Sequence, residues 1–132
     1  IGATEHVLAD TVAYALDRTA FGRPIGGFQA VKHRLAEAAT WLEAAQAATW
    51  SAVYAISEKG PHLARAVHIA KSFVAHHCPR IIEDCMQVHG GIAMTWENDC
   101  HLYLRRVRTN AVLYGTPSWH ADRLCDVLGM AI

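Results

Sequence analysis

The sequence predicts an all-α protein, an up-down four-helix bundle with an additional short helix. Three observations carry this expectation. Alanine, the strongest helix former, is abundant. Apolar residues recur every three or four positions through several long stretches, which lays them along one face of a helix. No stretch of any length alternates as a strand does, and the joints between periodic segments are short and rich in glycine and proline.

The first helix is predicted from Ala3 to about Arg18, with Val7, Leu8, Val12, Ala15 and Leu16 on its apolar face. Phe21-Gly22-Arg23-Pro24-Ile25-Gly26-Gly27 stops it, because glycine and proline both break helices. A long helix follows from about Phe28 to Lys59, its stripe formed by Val31, Leu35, Ala38, Leu42, Ala45 and Ala52. Gly60-Pro61 ends it: glycine suits a helix C-terminus and proline can open the next helix. The third helix runs from about His62 to Val88, with Pro79 inside it as an expected kink. A shorter helix is predicted over Glu97 to Arg105, and a last one over Ser118 to Leu128.

The 132 residues suffice for one domain, residues 1–132, with a real core. At 52% hydrophobic and 18% charged, the chain is too apolar for disorder. Twelve basic and twelve acidic residues cancel, which argues against nucleic-acid binding driven by overall charge. No apolar run approaches the roughly 20 residues that span a bilayer. The opening Ile1-Gly2-Ala3 is neither a Met start nor an export signal, so a fragment and a cytoplasmic location are expected. Cys78, Cys85, Cys100 and Cys125 form no CxxC pair and are expected to be buried free thiols. No metal site is expected: His76-His77-Cys78 is the densest cluster, but neighbours on a helix point about 100° apart.

Three segments carry chemistry. The first is Arg18-Thr19-Ala20-Phe21-Gly22-Arg23-Pro24-Ile25, followed by Phe28-Gln29-Ala30. It offers a fixed cation with five donors, a loop able to pass close to a ligand, and a helix N-terminus. Taken alone it reads as a capping arginine with an ordinary interhelix loop. The second is Gln87-Val88-His89-Gly90-Gly91, where a glycine pair exposes backbone amides; alone it is a helix C-cap. The third is Tyr114-Gly115-Thr116-Pro117-Ser118, in which Thr116 or Ser118 can cap the last helix. The basic run Arg105-Arg106-Val107-Arg108 before it reads as a solvated or ion-paired face.

Together, in this order and spacing, the segments resemble the C-terminal domain of the flavin-dependent acyl-CoA dehydrogenases, over essentially the whole chain. The resemblance implies a four-helix bundle with a long second helix. It implies FAD at a subunit interface of a homo- or hetero-oligomer, expected to be a tetramer built as a dimer of dimers. By this resemblance Arg18 meets the flavin pyrophosphate of the neighbouring subunit, Gln29 adds a polar contact, and Phe21 lies against the same cofactor. Gln87, Val88, His89, Gly90 and Gly91 meet the neighbour's cofactor, partly through backbone groups. Thr116 and Ser118 face the subunit's own flavin, although Pro117 and Ser118 depart from the more usual polar residues.

The reaction so implied is α,β-dehydrogenation of an acyl-CoA: a carboxylate removes the α-proton and the β-hydrogen leaves as hydride. The family's usual base is the glutamate directly before the Gly-Thr of the third segment, and here that position is Tyr114. With an ordinary pKa of about 10, tyrosine is a poor base at neutral pH. The resemblance therefore leaves three alternatives. The base lies elsewhere, at a family position that falls before Ile1; the subunit is silent and lends its residues to a partner's flavin; or the reaction is changed. The family's other domains, which supply most of the acyl-CoA pocket, are not in this chain, so alone it is expected to be inactive.

Overall fold

In the computed structural model, which describes residues 1–130, five helices form an all-α bundle. They are α1 (Gly2–Asp17), α2 (Gln29–Glu58), α3 (Leu63–His89), α4 (Cys100–Val112) and α5 (Pro117–Val127). α3 is the central element and packs against each of the other four. Its buried face of Ala70, Ala75, Cys78, Ile81, Ile82 and Cys85 explains this: small residues let neighbouring helices approach, and the two isoleucines fill the centre. Around them lie Val7 and Leu8 of α1, Ala38, Leu42 and Ala45 of α2, and Cys100 and Val107 of α4. Among the described residues no helix is long and apolar enough to cross a membrane.

Several local expectations are corrected. Val12 and Leu16 of α1 are 40% and 68% exposed, while Thr4 and Thr11 are fully buried in their place. The buried stripe is Thr4, Val7, Leu8, Thr11 and Ala15, and Val12 and Leu16 lie outside that arc at about 100° per residue. α4 begins at Cys100, not Glu97, and continues past Arg105 to Val112. Its start is set by Asn98, whose Oδ1 accepts the Cys100 N–H at 2.9 Å. Its extension is favoured by buried Val107 and by Arg108, whose Nη2 lies 2.6 Å from Oε1 of Glu83 on α3. This pairing agrees with the ion-paired face expected of the basic run.

Lys59, not Gly60, takes the left-handed residue that ends α2, at φ +51°, and α3 opens at Leu63 rather than at Pro61. α3 runs as one helix from Leu63 to His89 with Pro79 inside it, where the missing N–H leaves one helix bond unmade. Two two-residue strands, β1 (Thr19–Ala20) and β2 (Arg23–Pro24), pair in the first interhelix loop, a hairpin too short to leave a periodic signal. Cys78, Cys85 and Cys100 are buried free thiols as expected, but Cys125 is exposed. It lies on α5, whose only buried residue is His120.

Candidate functional site: two ends of one helix

The first segment folds as a short hairpin beyond the end of α1. The Arg18 N–H closes α1 on the Tyr14 carbonyl at 2.8 Å, and the Arg18 carbonyl accepts the Ile25 N–H at 2.8 Å. Between them Thr19 pairs with Pro24 and Ala20 with Arg23. The two-residue turn has positive φ at both positions, +51° at Phe21 and +79° at Gly22, the pattern that matches strand twist in a tight hairpin. Phe21 is 96% exposed in this left-handed conformation. Its ring meets Phe28 edge-on at 6.2 Å, and the Arg23 guanidinium lies 4.1 Å from the Phe28 ring centroid. The loop also presses on α1: a Cβ on Gly26 would lie 3.0 Å from the Ala15 carbonyl oxygen.

Phe28 then caps α2 without a side-chain hydrogen bond, and Gln29 is its first residue. The first N–H groups of α2 therefore have no side-chain acceptor at a helix end that favours negative charge. Arg18 and Gln29 are both exposed. An exposed guanidinium, an exposed amide and an uncapped helix start are the donor set that a pyrophosphate requires.

The second segment lies beside the first. Tyr14, one turn before Arg18, stacks on His89 with ring centroids 4.3 Å apart and planes 27° apart. Thr11 Oγ1 lies 3.1 Å from His89 Nε2. These contacts set the C-terminal ends of α1 and α3 side by side. Gln87, Gly90 and Gly91 are exposed, whereas Val88 and His89 are half-buried. Gln87 and the glycine pair line a groove of about 500 Å³ with Met86, Met94 and Leu104. Burial holds the His89 imidazole below its ordinary pKa, opposed by the charge of Asp10.

The third segment lies at the other end of α3. Tyr114 has φ +61° and is 94% exposed, and Gly115 follows at φ +113°. Thr116 caps α5, its Oγ1 accepting the Trp119 N–H at 3.2 Å, and lies 3.0 Å from Ser118 Oγ. Ser118 borders a groove of about 690 Å³ between α3 and α5, with Ile69, Phe73, His76 and Leu124. The contact that places this segment is His120 Nε2, 3.0 Å from the Tyr114 carbonyl, with His120 itself against His68 of α3. His68 and His89 are 21 residues apart on one helix, or about 30 Å along its axis. The fold thus joins the first two segments and keeps the third apart.

Sequence reasoning missed His68 and His120: 52 residues separate them, and no local spacing marks the pair. The His76-His77-Cys78 cluster disperses. Cys78 is buried, His77 stacks on Trp41 at 4.4 Å and 19°, and His76 is exposed. Among the described residues no three His, Cys, Asp or Glu side chains are grouped to hold a metal ion.

Comparison with known proteins agrees with this architecture. Residues 1–128 match the family described as acyl-CoA dehydrogenase, C-terminal domain. The chain is 40% identical over 124 residues to acyl-CoA dehydrogenase IpdE2 of Mycolicibacterium smegmatis, covering 94% of this chain and 38% of that protein. The solved butyryl-CoA dehydrogenase of Megasphaera elsdenii superposes with a TM-score of 0.91 at 26% identity, covering 96% of this chain and 33% of that one. A variant of the Tcur3481-Tcur3483 steroid ACAD superposes with a TM-score of 0.90 at 29% identity, covering 97% of this chain and 35% of that one. The chain thus spans about a third of the length of these relatives, and it belongs to the acyl-CoA dehydrogenase family, matching its C-terminal domain.

Proposed function

We propose that residues 1–132 act as one helical domain that holds two FAD molecules from its two ends in an oligomeric acyl-CoA dehydrogenase, expected to be a tetramer. The observation that carries this is the separation of about 30 Å along α3 between the His89 end and the His68 end. Two groups of ligand-facing residues so far apart suit two cofactors better than one. Arg18, Phe21, Gln29, Gln87, Gly90 and Gly91 serve the neighbour's flavin, and Thr116 and Ser118 the subunit's own. Val88 and His89 contribute through their backbone, because the His89 Nε2 faces Thr11 and its Nδ1 is buried.

The chemistry of the donors fits the group. Arg18 and the uncapped α2 start answer pyrophosphate charge with directional hydrogen bonds. Phe21 and Tyr114 combine left-handed backbone with side chains 96% and 94% exposed, so each turn presents its aromatic ring outward. Such outliers point to contacts made with something else. When bound, FAD supplies the hydride acceptor for α,β-dehydrogenation of an acyl-CoA; this domain orients and shields it. The turn from Leu113 to Ser118 contains no carboxylate, so this turn supplies no base for the α-proton: the base lies elsewhere, the subunit is silent, or the reaction is changed. Free buried thiols suit a reducing, cytoplasmic setting.

A second arrangement is favoured by Tyr114 itself: a silent subunit that lends its Arg18 end to a partner's flavin. The relative named for two components, the Tcur3481-Tcur3483 steroid ACAD, supports a paired assembly. Arg18→Ala in the complete polypeptide tests the shared element of both. Loss of charge-assisted bonds worth about 1.5–3 kcal/mol should weaken FAD retention roughly 10- to 100-fold. Unchanged retention would remove Arg18 from the site.

A further inference from the structure

His68 and His120 form a pair to which the function proposed above gives no role. His120 is 5% exposed, on the first turn of α5. Its Nε2 lies 3.0 Å from the Tyr114 carbonyl oxygen. A carbonyl only accepts, so Nε2 carries the hydrogen, and in the neutral ring Nδ1 is then a bare acceptor. That Nδ1 lies 2.9 Å from the Nδ1 of His68, so His68 must donate from Nδ1. One backbone carbonyl thereby fixes the tautomers of both rings.

The surroundings lock this chain of donors. Trp119 meets His120 edge-on at 4.8 Å and His68 at 5.9 Å. Gly115 leaves room for the ring: a Cβ there would stand 2.9 Å from His120 Nε2 and 2.8 Å from Trp119 Cε3. Burial, then the neighbouring His120, then Arg123 hold His68 below its ordinary pKa, so at neutral pH it has the uncharged form the relay needs. Thr116 is held as the cap of α5, and the His120 bond is the contact that holds the Tyr114 carbonyl. Tyr114 is 94% exposed, and its backbone is left-handed at a cost of about 1–2 kcal/mol.

We propose that His120, oriented by His68, is the positioning residue of the Tyr114–Gly115 turn, gripping the Tyr114 carbonyl so that the turn and Thr116 keep one conformation. The grip follows from the fold; its bearing on a cofactor rests on the function proposed above. It assigns His120 to a specific duty: a buried N–H aimed at one backbone oxygen on the surface that would face the subunit's own flavin.

Nitrogen-15 NMR of the complete polypeptide, with its histidines labelled, tests this without any variant. At pH 7.5 His120 should show protonated Nε2 and bare Nδ1, and His68 protonated Nδ1. The reverse tautomer at His120 would overturn the proposal. Order parameters then test the grip. Gly115 should sit near the rigid value of about 0.85 and fall below about 0.6 in His120→Ala, while the core helices stay ordered. His120→Gln, whose amide nitrogen can reach the place of Nε2, should restore most of the order; His120→Asn should not. Equal order at Gly115 in wild type and all three variants would reduce His120 to filling space. If the complete protein binds no flavin, the function fails and these NMR results stand unaffected.

Discussion

The hydroxyl of Thr11 on α1 lies 3.1 Å from Nε2 of His89 in the last turn of α3. Thr11 donates its own hydrogen to the Val7 carbonyl at 2.6 Å, so its oxygen is the acceptor and His89 carries its hydrogen on Nε2. His89 Nδ1 is then a bare, buried nitrogen with no partner. One threonine thus sets the ring that joins the Arg18 end of α1 to the Gln87–Gly91 end of α3.

Thr11→Val keeps the shape and removes the acceptor. It should lower stability by about 1–3 kcal/mol, because the His89 N–H loses its partner. Urea unfolding followed by circular dichroism measures this; a change below about 0.3 kcal/mol would mean that the contact is replaced without loss.

Gly115→Ala should destabilise by roughly 1–3 kcal/mol, since the new Cβ meets both Trp119 and His120 below 3.0 Å at φ +113°. The same unfolding measurement tests it, and an equally stable variant would refute the close packing of turn, indole and imidazole.

Ile82 is fully buried at the centre of α3. Ile82→Ala should cost about 2–5 kcal/mol through lost burial and the cavity left behind. A loss under about 1 kcal/mol would show that α3 is not the packing axis.

Stability should fall as pH drops from 7.5 towards 5.5. His68, His77 and His89 all have folded-state pKa values held below the ordinary 6.5. On acidification the unfolded chain takes up protons near pH 6.5 while the folded chain does not, so ΔG of unfolding declines across this window. The contribution is fully present above pH 6.5 and lost as pH falls through the lowered values. Urea midpoints at half-unit pH steps read it directly. A midpoint that rises on acidification would reverse the sign.

Thiol chemistry should sort the cysteines by burial. Cys125 is exposed and Cys78, Cys85 and Cys100 are buried. Burial chiefly pushes the Cys85 thiol up to about 11 and also raises Cys100, so thiolate is scarce there. An aromatic disulfide reagent should react quickly with one thiol in the native protein and with four in denaturant.

Much of this was legible in the sequence because periodicity and breakers are local signals. The α2 stripe through Ala38, Leu42, Ala45 and Ala52 is buried as its spacing predicts. The α1 face was not legible: Thr4 and Thr11 read as polar, yet they pack in the core, and Thr11 bonds its own helix. The hairpin at Arg18–Pro24 escaped because two-residue strands carry no period. The motifs marked the segments along the chain that are proposed to face a ligand. Their division between two ends of α3, and the His68–His120 grip on the turn, depend on contacts across many residues that no local pattern encodes.

If this domain serves FAD in an oligomer, flavin absorbance per subunit will report it. The complete polypeptide should be purified alone and together with a homologue encoded beside it. Bound flavin is expected, about one per subunit in the protein alone if it is self-sufficient, or about half that and only with the partner if it lends its residues. A protein that holds no flavin in either preparation would contradict it.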